Sequence, residues 1–284
     1  MKRPQDIAVE EATMGTIVNL TSAFEGLASM RIASIKDQVQ QSEQFFGELW
    51  QIYQQIRIDP TFRFGRENDH APIDKELIIA ITAEGGFSGD IDQKLIRWMI
   101  EQYDADKHDI IIIGHHGAVQ LTEAGVAFKK YFKLPARDVS INVTPLMHEV
   151  QQYRDTTVFY QTYVSLMVQD IKKIKLQTAV QEAGRQVAKD KDIISEKTYI
   201  FEPSTIAVIG HLERVMVGIA LSQTILESKL AQYASRFRAM SVARERAEDS
   251  KSELHLLFNR TRRATADERL KEITNGLRHA GAVQ

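Results

Sequence analysis

The chain of 284 residues has no cysteine. That excludes disulfides, thiolate metal sites and a cysteine nucleophile. No run of about 20 apolar residues, the length a bilayer-spanning helix needs, stands out, so no membrane span is expected. The opening residues Met1-Lys2-Arg3-Pro4-Gln5-Asp6 lead into a polar helical pattern. They lack the apolar stretch of a signal peptide, and the expected compartment is the cytosol. Neither sign of charge dominates: 36 Lys and Arg stand against 38 Asp and Glu, a net charge of −2. The charge balance therefore gives no global pull toward nucleic acid or a membrane surface. Proline is missing altogether between Ser204 and Gly276, and glycine occurs there only at Gly210 and Gly218 before the end.

What fills that stretch is a helical pattern. Apolar residues recur at Ile209, Leu212, Met216, Ile219, Leu226, Leu230, Tyr233, Phe237, Met240, Ala247, Leu254 and Leu257. The steps of three, four and seven keep one stripe of a helix facing a partner helix. At 1.5 Å per residue such a helix is roughly 110 Å long. A compact domain of this chain length has a radius of gyration of only about 19 Å, so the helix must project from any compact body or lie along something larger.

The other end of the chain carries a second long helical pattern, from Pro4 to about Ile58. Ile17, Leu20, Phe24 and Leu27 step by three and four. Ala28, Ile32, Ile35, Val39, Phe46, Leu49, Tyr53 and Ile56 continue one position out of phase, a slip that lets a stripe follow its partner. Pro4 suits a first helical turn, and Asp59-Pro60 ends the element. Two such helices at opposite ends of one chain are each other's natural partners and are expected to pair antiparallel.

Between them the period changes. Residues 61–75 read as a loop. Leu77–Ile81 and Asp109–Ile113 are short apolar runs that read as buried strands, with an amphipathic helix from Asp90 to about Tyr103 between them. Ala118 to Phe132 reads as helix, Val139–Val143 as a third strand, and Thr144-Pro145 as the N-cap and first residue of another helix. Val158–Tyr163 and Ser165–Leu176 read as a final pair of strands. Strand–helix alternation implies a parallel core sheet with covered faces. The expected division is an N-terminal coiled-coil helix over residues 1–59, an inserted α/β domain over 60–198 with a mobile loop near 180–197, and a C-terminal coiled-coil helix over 199–284.

The chemistry motifs are weak. Thr82-Ala83-Glu84-Gly85-Gly86-Phe87-Ser88-Gly89 joins a strand to a helix, where a phosphate could sit. It lacks the lysine followed by Ser or Thr of a P-loop and the glycine spacing of a dinucleotide site, and Asp90 and Asp92 would repel an anion. The turn residues Glu84, Gly86 and Gly89 therefore read as a tight strand-to-helix connection. His115-His116 diverge and have no further ligand at metal spacing, so they read as solvated. Ser88 lacks the G-x-S-x-G elbow of a hydrolase. Two basic clusters, Arg236, Arg238, Arg244, Arg246 and Arg260, Arg262, Arg263, Arg269, suit either a solvated flank or carboxylates on a surrounding protein. Interleaved Glu245, Glu248, Asp249, Asp267 and Glu268 argue against nucleic acid.

Several of these stretches, in order, resemble the γ subunit family of F-type ATP synthases. Leu20 to Arg31 is similar to the first-helix motif I-T-x-A-M-x-x-V-A-x-x-K. Ala83 to Asp92 is similar to S-D-x-G-L-C-G-G-L-N, and Gly114-His115-His116-Gly117 to G-x-K-G. Tyr199, Glu202 and Pro203 fit Y-x-x-E-P. Arg236, Ala239, Met240 and Ala243 fit R-M-x-A-M-x-x-A, and Leu256, Phe258, Asn259, Arg260 and Arg262 fit L-x-Y-N-K-x-R. Departures fall at Gly15, Asn19, Arg244, Arg246, Asp267, Glu268 and Arg269.

The resemblance implies a fold in which the two terminal helices form an antiparallel coiled coil around an inserted Rossmann-like α/β domain. It implies a central rotor shaft that couples ion flow through a membrane sector to ATP synthesis or hydrolysis on a ring of α and β subunits. The ε subunit and the c-ring would be the other partners, on the cytoplasmic side of the membrane. Catalysis would lie on β, so no catalytic residue, cofactor or metal is expected in this chain. Arg236, Met240, Arg244, Arg260 and Arg263 would face the α/β ring, and Leu20, Phe24, Leu27, Phe237 and Leu254 would pack inside the coiled coil. The rival readings are a cytosolic coiled-coil scaffold with an α/β adaptor domain, and an α/β enzyme with a ligand at the Gly85–Gly89 turn.

Overall fold

The computed structural model describes residues 2–56, 73–136, 138, 141–185, 202 and 204–281. Two helices account for almost half of the chain: α1 over Pro4–Gln55 and α6 over Thr205–Gly281. The long proline-free patterns predict both. Pro4 opens α1, where its missing N–H costs nothing. Ser204 precedes α6, and its hydroxyl accepts the Ala207 N–H at 3.2 Å, satisfying one of the helix's orphan donors. The expected stop at Asp59-Pro60 lies outside the described residues. The chain divides into two compact units: Met1–Leu27 with Arg238–Gln284, and Ala28–Phe237.

The larger unit is built on a five-stranded sheet in the order β3-β2-β1-β4-β5. Its strands are β1 (Glu76–Ile81), β2 (His108–Ile113), β3 (Lys130–Phe132), β4 (Thr156–Tyr163) and β5 (Gln169–Lys175). The first four run parallel, and β5 pairs antiparallel with β4. The apolar runs of β1 and β2 are buried on both faces, as strands covered on two sides must be. Alternation then divides their side chains. Leu77, Ile79, Ile81, Ile111, Ile113, Val158 and Tyr160 pack against Phe46 and Trp50 of α1, Met216, Val217, Leu221 and Ile225 of α6, and the short helices α4 (Thr144–Val150) and α5 (Leu176–Arg185). Ile78, Ala80, Ile110, Ile112 and Phe159 pack against Leu95, Ile96 and Met99 of α2 (Ile91–Ile100) and Leu121 of α3 (His115–Glu123). Both layers thus rest on the two-residue period of the strand.

Four local expectations fail. The third strand is not Val139–Val143: residues 139 and 140 lie outside the described residues, and 141–143 have no regular structure. The third strand is Lys130–Phe132, within the stretch expected to be helix to Phe132. The reason is Gly125, at φ +69. The Gly125 N–H bonds to the Thr122 carbonyl at 3.1 Å and the Val126 N–H to that of Leu121 at 2.9 Å, a Schellman stop that closes α3 and frees the chain to extend. The N-cap of α4 is Val143 rather than Thr144. Residues 180–185, expected as the start of the mobile loop, belong to α5, because Leu176 and Val180 are drawn into the core under β4; the rest of the expected loop, 186–197, lies outside the described residues. An 18-residue window of α6 reaches a mean hydropathy of 1.4, apolar enough by composition to cross a bilayer. Half of that window is buried in the fold, as in the core helix of a globular body.

Candidate functional site

In the smaller unit α1 and α6 lie antiparallel. Glu25 on α1 meets Arg244 on α6 (Oε2 to Nε, 3.0 Å), and Glu11 meets His255 (Oε1 to Nδ1, 3.0 Å), so α6 numbers fall as α1 numbers rise. The Glu25 hydrogen bond holds the Arg244 guanidinium above its usual range. On α1 the residues turned inward are Ile7 and Thr21, fully buried, with Met14 and Val18 half-buried between them. The steps are seven, four and three. On α6 they are Met240, Ala247 and Thr261, with Leu254 half-buried, in steps of seven. This is a heptad seam in which the small residues Thr21, Ala247 and Thr261 stand among larger apolar ones. Thr21 satisfies its hydroxyl on its own helix, donating to Ile17 O at 2.8 Å.

The seam is not the one the apolar residues of α1 predict. Leu20 is 56% exposed and Leu27 53% exposed. Neither is a core residue of the coil, and Phe24 is only half-buried. The strongest apolar residues mislead because the inner seam accepts Thr21 and Glu25, which a hydropathy reading passes over. The slip between the two segments of α1 stripe disappears once these polar positions are counted. Ile17, Leu20 and Leu27 instead form a second apolar stripe, in steps of three and seven, that is exposed among the described residues. Val242, Leu256, Leu257, Leu270 and Ile273 are exposed on α6. Apolar surface of this extent, rimmed by charge, marks an interaction face.

The proposed ring-contact residues separate. Arg260 and Arg263 are exposed. Met240 is buried and so cannot present its side chain to a partner. Arg244 is committed to Glu25 and Glu248. Arg236, in the larger unit, is half-buried: Nη2 donates to Gly85 O at 3.2 Å and the guanidinium lies over the Tyr233 ring. Of the remaining coil residues, Phe237 is half-buried against Ile32, Ile35, Leu226 and Leu230.

The turn after β1 is a structural connection. Glu84 accepts from Tyr131 Oη (3.0 Å) and the Leu134 N–H (3.2 Å). Gly89 sits at φ +68, and a Cβ on Gly86 would meet no atom within 4 Å. Phe87 takes a left-handed conformation at φ 69 and is exposed. Ser88 is buried, and its carbonyl accepts from Ser235 Oγ at 2.6 Å. Of the two aspartates expected to repel an anion at this turn, Asp90 is exposed, and Asp92 is buried and already spent on internal donors. A ligand at the turn would displace these bonds.

Two polar clusters escaped the sequence reading. Lys229 and Asp138 form a fully buried ion pair, with Arg31 on the other carboxylate oxygen at 3.0 Å and the Lys229 ammonium donating to Pro135 O at 2.6 Å. His116, read as solvated, turns inward onto Asp92, while His115 is exposed. Neither cluster has local spacing that would betray it, since each joins residues from three or more elements.

A long helix at each end of the chain, the two paired antiparallel within each unit, with a mostly parallel α/β sheet inserted between them in sequence, defines the fold class. Residues 5–279 match the family model described as ATP synthase, and the chain belongs to that family. It is 23% identical to the ATP synthase γ chain of Cytophaga hutchinsonii, over 93% of this chain and 94% of that one. It is 25% identical to the γ chain of Lactiplantibacillus plantarum, over 72% and 71%. Among solved structures it resembles a chain of the Euglena gracilis mitochondrial ATP synthase F1/c-ring assembly, with a TM-score of 0.58 and 14% identity over 97% of this chain and 96% of that one. It also resembles a chain of the Tetrahymena thermophila mitochondrial central stalk and c-ring, with a TM-score of 0.55 and 14% identity over 79% and 99%.

Proposed function

We propose that the chain is the central-stalk rotor subunit of an F-type ATP synthase, turning inside a ring of α and β subunits and seated on the ε subunit and c-ring. The observation that carries this reading is the two-sided first helix. One stripe closes on α6, and a second, through Leu20 and Leu27, stays uncovered. A coil needed only for its own stability has no use for the second stripe. A shaft turning in a collar does, because apolar contact is non-directional and gives way smoothly on rotation. Ion flow through the membrane sector would turn the shaft, and its unequal faces would carry each β site through different affinities. The subunit has no catalytic residues of its own in this reading, in keeping with a turn after β1 that lacks a phosphate-binding lysine. Its place is the cytoplasmic face of the membrane, held there through the complex. Arg260 and Arg263 are the exposed arginines that would meet β carboxylates.

The test is the pair of substitutions Leu20→Asp and Leu27→Asp. Because both side chains are already in water, the helix pair should keep its helicity. Co-purification with α and β subunits, or ion-coupled ATP synthesis, should fall at least tenfold. Unchanged assembly and synthesis would refute the reading; loss of helicity would show the stripe to be a seam of the coil after all.

A further inference from the structure

His116 is the second residue of α3 and is about 29% exposed, with its Nδ1 2.9 Å from Asp92 Oδ2. Asp92, on α2, is buried at the centre of a network. Its Oδ2 also accepts the Ala83 N–H at 3.2 Å, and its Oδ1 accepts from Gln161 Nε2 at 2.6 Å. Gln161 lies on β4 and is itself fully buried. Its carbonyl oxygen accepts from the Ser228 hydroxyl on α6, and Gln232, one turn on, donates to Ser228 Oγ at 3.0 Å. One carboxylate thus joins α2, the end of β1, α3 and, through Gln161, the face of α6 on which the sheet rests.

The charges facing His116 come from three elements. Asp92 lies on α2, Glu84 on the turn after β1, and Arg236 on α6. His115, its neighbour on α3, points to solvent. Two carboxylates and one guanidinium leave this cluster with one negative charge in excess, and the protonated imidazole supplies the missing positive charge. A buried carboxylate without a compensating charge is costly. A charge-assisted hydrogen bond is about twice as strong as a neutral one.

We propose that the His116–Asp92 pair is a pH-sensitive latch fastening the α/β domain to α6, tight when the imidazole is protonated and looser when it is neutral. The hydrogen bond that its ring N–H donates to Asp92 raises His116 above the ordinary imidazole value of 6.5. A group whose folded value is raised stabilises fully below its unfolded value and loses that stabilisation as pH rises through the folded one. The latch therefore begins to slacken above pH 6.5, in the range cells occupy. Nothing in this inference depends on the rotor reading.

Hydrogen exchange on the full chain at pH 6.0 and 8.5, corrected for intrinsic rates, tests it. Protection factors for amides of residues 83–92, 115–118 and 225–235 should fall about fivefold at the higher pH, the worth of one charge-assisted bond reduced to a neutral one. His116→Lys, a permanent cation, should stay protected at both values. His116→Gln should be equally loose at both. A fivefold fall in wild type that is flat in both variants supports the latch. No fall in wild type, or the same fall in both variants, overturns it. Asp92→Asn, whose single amide oxygen can accept from Gln161 or from Ala83 but not from both and which carries no charge, should also lose the pH dependence, and its retention there would overturn the proposal equally.

Discussion

Removing Lys229 tests the energetics of the larger unit most directly. The Lys229 and Asp138 side chains are each 2% exposed. Lys229→Ala would leave the Asp138 carboxylate buried and the Pro135 carbonyl without its donor. Breaking a buried pair from one side costs roughly 3–5 kcal/mol, because the remaining charge stays in a poor solvent. Arg31 remains 3.0 Å from Asp138, but with 53% of its side chain exposed its charge is screened, which places the cost near the lower end of that range. A loss of about 3 kcal/mol corresponds to a fall in Tm of about 6–12 °C for a body of around two hundred residues. Calorimetry of the full chain, with circular dichroism as a second probe, measures it. The double variant Lys229→Met with Asp138→Leu removes both charges and should recover most of the loss, since apolar replacement of a buried pair is often neutral. A cost below about 1 kcal/mol for Lys229→Ala, or a double variant no better than the single, would show that the pair is not isolated from solvent and would refute the reasoning.

Two further substitutions probe other features. Gly114 sits at φ +98 with Thr82 O only 2.0 Å from where a Cβ would be. Gly114→Ala should therefore cost at least about 4 kcal/mol and abolish the cooperative unfolding transition of the α/β domain. Met240→Asp buries a carboxylate in the seam of the smaller unit. It should cost several kcal/mol and open α6 beyond residue 238 to limited proteolysis, while the sheet keeps its native near-ultraviolet signal.

The two long helices were legible because helix length needs only an unbroken run without proline and an apolar residue every third or fourth position. Leu77–Ile81 and Asp109–Ile113 were equally plain, since a strand covered on both faces must be apolar throughout. β3 was not. Three residues carry no period, and Lys130–Phe132 becomes a strand only because the Gly125 stop sets it beside Ile111–Ile113. α5 likewise exists because the core accepts Leu176 and Val180.

The seam of the coil shows where the sequence stops. Periodicity established that α1 is a helix with an apolar face, but α1 has two candidate faces, and hydropathy favours the one carrying Leu20 and Leu27. Only the tertiary pairing chose the other. Glu25 and Glu11 find Arg244 and His255 across it, and small residues such as Thr21 and Ala247 let the helices approach. The same holds for Asp92 with His116 and for Asp138 with Lys229. A buried charge is tolerable only where a partner from another element arrives, and that arrival is a property of the fold rather than of any local stretch of chain.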